Sequence, residues 1–94
     1  MNKNWVIYAV DNGFYFFGNE VTGPDGFMAL REAAMFGGFG GEKGLPGVAK
    51  GHPKATVTLD RFEAEDELVI PQSRVVFIAK SINLYEFKGT TVRG

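Results

Sequence analysis

The chain has no cysteine, a single histidine, almost no net charge and no long apolar run. Without cysteine there is no disulfide framework, no thiolate nucleophile and no thiolate metal site. One histidine with neither a cysteine nor a second histidine cannot build a usual zinc site. A formal charge of −1 supplies no global field toward nucleic acid or a membrane surface. The apolar run near the start spans six residues and ends at Asp11, too short for a signal peptide or a membrane span. The only serines, Ser73 and Ser81, lie near predicted strand ends, outside any nucleophile elbow. No His-Asp-Ser set, metal motif or cofactor fingerprint is present, so the chain reads as a non-enzyme that needs no cofactor. The lack of cysteine fits a reducing cytoplasm, the expected location.

What is present is apolar and aromatic. The 94 residues are 45% hydrophobic and include nine Phe, three Tyr and one Trp. That suffices for one domain, 1–94, with a core over 4–87 and a flexible tail at 88–94. A domain this small buries a modest share of its surface, which favours oligomerisation. WVIYAV at 5–10 and FYFF at 14–17 flank Asp11-Asn12-Gly13, a strong hairpin signal. TGPDG at 22–26 reads as a second turn. FMALREAAMF at 27–36 has helix-favouring composition but no cap. As a strand it would share Met28, Leu30, Ala34 and Phe36 on one face, with Glu32 the exception, and two short strands are expected. GLPGVAK at 44–50 allows one helical turn with Leu45 and Val48 packing down. TVTL at 56–59 alternates as a strand, LVI at 68–70 ends at Pro71, RVVFIA at 74–79 reads as a buried strand, and LYEF at 84–87 as a final edge strand. The expected fold is mainly β, a small strongly bent antiparallel barrel of five to seven short strands with at most one short helix.

The densest local signal is FGGFGGEKGLPGVAKGHPK at 36–54, in which seven of nineteen residues are glycine. Glycine lets successive backbone amides turn toward one point, a geometry that suits an anion. A Walker loop is excluded: Lys43 precedes Gly44, no Ser or Thr follows, and no long helix fits. A dinucleotide fold is excluded by the absence of a βαβ unit. Two readings survive: a backbone nest for phosphate or carboxylate, and a crowded bend in which close strands require glycine. For the nest, phosphates would lie on the amides of Gly38, Gly40, Gly41 and Gly44 and on Lys43, Lys50 or Lys54. A base would stack on Phe36, Phe39 or an outward Tyr15. His52, between Lys50 and Lys54, completes the candidate ligand set. As a general base it would need an orienting carboxylate, and a solvent-exposed loop residue is the simpler reading.

The aromatic hairpin residues must divide by period two between an inner and an outer face. The outer set either contacts another subunit or stacks bases. The acids at Asp60, Glu63, Glu65, Asp66 and Glu67 lack the glycine and spacing of a calcium loop and read as a solvated face, with Arg61 and Arg74 available to pair with them.

One arrangement resembles a known family. It consists of Leu30-Arg31-Glu32-Ala33, then Phe36-Gly37-Gly38-Phe39, then Gly44-Leu45-Pro46-Gly47-Val48-Ala49, and later the apolar pair at 68–70 and 75–78. This pattern resembles small uncharacterised proteins of tailed bacteriophages, over about residues 5–82. The resemblance implies a compact β-barrel of the Sm-like or SH3-like type, located in the host bacterial cytoplasm. Those proteins carry tryptophans and a more basic stretch where this chain has Ala34-Met35-Phe36-Gly37-Gly38. The family offers no established activity. By analogy the resemblance suggests counter-defence, in which a homo-oligomer sequesters an anionic small molecule such as a nucleotide immune signal at a subunit boundary. The alternatives are an Sm-like binder of RNA or single-stranded DNA, and a protein-interaction or virion accessory module.

Overall fold

Trp5–Val10 forms β1 and Tyr15–Val21 forms β2. They pair antiparallel, with Ile7 opposite Phe17 and Ala9 opposite Tyr15. Gly13 turns the chain between them at φ +81°, and the Val10 amide donates to the Phe14 carbonyl at 3.0 Å. This is the hairpin that Asp11-Asn12-Gly13 predicts. The computed structural model describes residues 3–63 and 65–94. Strand β1 shows no polar alternation because both its faces are buried. Val6 and Tyr8 enter one apolar cluster and Ile7 enters the other.

Phe27–Gly40 forms β3, one strand of 14 residues rather than two short ones. Its continuity depends on a bulge. Phe17 lies opposite Ala34 and Asn19 opposite Arg31, so β3 spends three residues where β2 spends two. Glu32 sits at the bulge with φ +52°, outside the usual range for a residue with a side chain. The Tyr85 hydroxyl donates to the Glu32 backbone carbonyl, and Lys3 Nζ lies 2.6 Å from the Glu32 carboxylate. The extra residue also shifts the inward phase of the strand. Leu30 and Ala33 enter the cluster of Tyr8, while Ala34 and Phe36 enter that of Ile7. The irregular position of Glu32 in the sequence pattern is thus the point at which β3 changes sides.

The outer edge of β3 is shared. Thr56–Arg61, β4, pairs its second half, and Leu68–Pro71, β5, pairs its first. A 3-10 turn at Gln72–Arg74 leads into Val75–Lys80, β6, which pairs the far side of β1. Between β3 and β4 lies the helix α1, Gly44–Lys50. Val48 is fully buried and Leu45 packs against the same cluster, so the expected helical turn is present.

The fold is mainly β, with seven strands and one short helix among the described residues, as the pattern indicates. The strand order is β6-β1-β2-β3-β4 and then a seventh strand, β7, Thr90–Arg93, with β5 against β3. Among the described residues the two ends, β6 and β7, are not paired, so the bent sheet does not close. Residues 88–94 are not the tail expected of them. Strand β7 runs parallel to β4, and Arg93 grips Asp60 with two nitrogens at 2.7 and 2.9 Å. Nor is 84–87 a strand. Asn83 accepts from the Tyr85 amide at 3.0 Å and starts a 3-10 turn at Leu84–Glu86 that buries Leu84 completely.

The apolar run in β6 is not buried either. As an edge strand it leaves Val76 65%, Phe77 45% and Ile78 46% exposed. Of the two arginines expected beside the acidic stretch, Arg74 pairs with Asp11 at 2.7 Å and Arg61 lies over the Tyr85 ring at 5.0 Å. On the other side of the sheet the Tyr8 hydroxyl donates to the Glu20 carboxylate. Burial, with the adjoining Glu20 charge, raises the Tyr8 pKa above the usual tyrosine range. No helix among the described residues is long and apolar enough to cross a membrane.

Candidate functional site

The glycine segment divides into three parts. Gly38 and Gly40 lie inside β3, opposite Thr58 and Thr56, so their backbones belong to the sheet and not to a loop. Gly41 lies in the turn that follows, at φ +95°. A Cβ on Gly41 would stand 2.0 Å from the Lys54 carbonyl oxygen, so this glycine is required by a close backbone approach. Gly47 is pressed against the Glu42 carbonyl and Gly51 against the Ile82 side chain. Gly44 has open space around it at φ +56°. Gly41, Gly47 and Gly51 answer to crowding, and the expected cradle of amides over 38–44 is interrupted by the strand.

The cations are sorted as well. Glu42 lies 3.4 Å from Lys54 Nζ and 3.7 Å from His52 Nε2, while His52 Nδ1 accepts the Lys54 amide at 3.1 Å. His52 and Lys54 are therefore tied to their own turn. Lys43, Lys50 and Lys80 have no carboxylate within ion-pair distance among the described residues.

Tyr15, Phe36 and Phe39 meet as three rings with centroids 5.6 to 5.8 Å apart. Phe36 is buried within this group and belongs to the core, leaving Tyr15 and Phe39 nearer the surface. The expected aromatic neighbours therefore do assemble, but only part of the set faces outward.

Two cavities of about 420 Å³ each flank α1. Lys43, Pro46, Gly47, Lys50, Gly51, His52 and Pro53 line the first. The second is bounded by Tyr15, Leu45, Pro46, Ala49, Lys50, Phe77, Ala79 and Lys80. Pro46 and Lys50 belong to both walls, so the cavities adjoin across the helix. Their described walls contain no carboxylate.

The second cavity follows from strand register. Ala9 pairs Tyr15 on one side and Phe77 on the other, so the three stand in one row across β2, β1 and β6. Residues in such a row share a face. Ala9 is the small member between two rings, and α1 lies over the same face through Val48 and Ala49.

Tyr15, Lys43, Lys50 and His52 thus come together at the cavities. Phe36, Gly38, Gly40, Gly41, Gly44 and Lys54 do not line them, and Phe39 stands beside Tyr15. Phe77 and Lys80 were absent from the expected set. Their apolar strand was legible, but its pairing with β1 depends on contacts about 70 residues apart in the chain. No protein-family model matches the chain, and no curated protein matches it.

Proposed function

We propose that this chain is a non-enzymatic protein that binds and sequesters an anionic small molecule carrying a planar ring, a nucleotide being the leading case. One observation carries the reading: Lys43, Lys50 and Lys80, with two aromatic rings, converge on adjoining cavities whose described walls hold no acid. Ammonium groups beside apolar walls favour an anion because charge-assisted hydrogen bonds gain strength as water is excluded. Under the bacteriophage resemblance, such retention of an immune nucleotide would serve counter-defence.

Calorimetric titration with a panel of linear and cyclic nucleotides tests this. At least one member is expected to bind with Kd below about 100 μM, equivalent to roughly 5–6 kcal/mol. Lys50→Glu, a surface change, should weaken that ligand at least tenfold. No binding by any member overturns the reading.

The same reading includes self-association. Val76, Phe77 and Ile78 are exposed in succession on an edge strand, a feature that monomeric sheets usually blunt with charge, proline or a covering loop. A second copy covering β6 removes that liability. Light scattering at micromolar concentration should return at least a dimer mass, reduced to a monomer by Val76→Lys. A monomer mass for the parent chain rules out this part.

A further inference from the structure

Pro46 and Lys50 join the two cavities, so one anionic ligand can span both. Resting on the proposed anion binding, we infer that the two cavities form a single bipartite site for a ring joined to at least two anionic groups, the chemistry of a nucleoside diphosphate or triphosphate. The aromatic half holds the ring. Tyr15 and Phe77 rise from strands separated by β1, roughly 9.5 Å apart at the backbone. Only Ala9 stands between them in their row. A planar ring between two others needs about 7–8 Å, so the width is suitable. Leu45, Pro46 and Ala49 of α1 supply the facing wall.

The anionic half lies beyond Lys50. This lysine borders both cavities, whereas Lys43 and His52 border only the first and Lys80 only the second. Lys43 and Lys50 stand at opposite ends of α1, about 10 Å apart along its axis. Cations spread along such a path match a chain of phosphates better than a single one. A lone phosphate beside Lys50 and Lys80 would leave Lys43 without a ligand contact. Glu42, which is not part of either wall, turns its carboxylate to His52 and Lys54.

Titration of the full chain with AMP, ADP, ATP and inorganic tripolyphosphate separates the possibilities. ADP and ATP are expected to bind at least tenfold more tightly than AMP. Lys43→Gln should remove that advantage and leave AMP unchanged. Phe77→Ser should weaken all three adenosine ligands at least fivefold and leave tripolyphosphate unchanged. Both positions are exposed, and circular dichroism identifies any variant that has lost its fold. If AMP matches ATP within twofold and Lys43→Gln is silent, the bipartite site is wrong while anion binding stands. Equal affinity for tripolyphosphate and ATP would also overturn it, because the aromatic half would then contribute nothing. If none of the four binds but another nucleotide does in the wider panel, the bipartite polyphosphate site fails alone. Failure of the whole panel removes both proposals.

Discussion

Gly41→Ala should unfold the protein or reduce its stability by about 3–5 kcal/mol, whereas Gly38→Ala should leave it folded. Both glycines lie in the same glycine-rich segment, three positions apart. Their surroundings differ entirely. Around Gly38 a Cβ meets nothing within 4 Å, and the residue is extended within β3. Alanine there can add up to about 0.5–1 kcal/mol by restricting the unfolded chain. At Gly41 the new Cβ would lie 2.0 Å from the Lys54 carbonyl oxygen and 2.9 Å from the Ala55 Cα. Both neighbours are backbone at the entry to β4, so neither can rotate away. The φ of +95° adds a conformational cost for any residue with a side chain. Urea unfolding followed by circular dichroism provides the comparison. With a slope of about 1–3 kcal/mol per molar, the loss at Gly41 is a midpoint shift of at least about 1 M. A Gly41→Ala protein that keeps its midpoint but loses an anionic ligand would restore the backbone-nest reading and remove the crowded-bend explanation.

That contrast shows how far the sequence could be read. The hairpin, the turn at Gly26, the strand at 56–59 and the short helix all depend on local chemistry, and local chemistry is written in adjacent residues. Gly13 and Gly26 both adopt positive φ where turns require it. The long β3 was not legible because its continuity relies on Glu32 adopting φ +52°, held by Tyr85 from 53 positions away. Strand β7 is not legible in the sequence for a similar reason. Thr90–Arg93 has little apolar content, and its parallel place beside β4 is fixed by distant pairing and by Asp60 with Arg93. The site followed the same division. Lys43, Lys50 and His52 were accessible to reading because they flank one short helix. Phe77 and Lys80 required knowing that β6 lies beside β1. Composition marked all the glycines alike, although 38 and 44 sit in open space while 41, 47 and 51 are wedged against neighbours.

Phe17→Ala is expected to cost roughly 3–5 kcal/mol, a large share of the about 5–15 kcal/mol that stabilises a typical domain. Phe17 is fully buried at the centre of the larger cluster. Its ring stacks on Trp5 at 5.1 Å with planes 10° apart, and the edge-on Tyr85 ring lies 5.3 Å away. Truncation removes a large apolar surface and both aromatic contacts, and the three strands around the cavity cannot collapse far without breaking their ladders. Phe17→Leu keeps most of the volume and should cost only about 1–2 kcal/mol. Trp5, the sole tryptophan, reports the transition by fluorescence, with circular dichroism as a probe independent of the altered contact. A Phe17→Ala loss below about 1 kcal/mol would show that this cluster does not carry the fold. The effect also reaches the candidate site, since Val48 and Ala49 seat α1 on the same cluster. Binding should fall only as the folded fraction falls, because Phe17 lines neither cavity. Ligand at one hundred times its Kd would then return about 2.7 kcal/mol by mass action. Partial rescue of Phe17→Ala by nucleotide, with no equivalent rescue by a nucleoside lacking phosphate, would show that the phosphates supply the binding energy. Equal rescue by the nucleoside would place the binding energy in the rings alone.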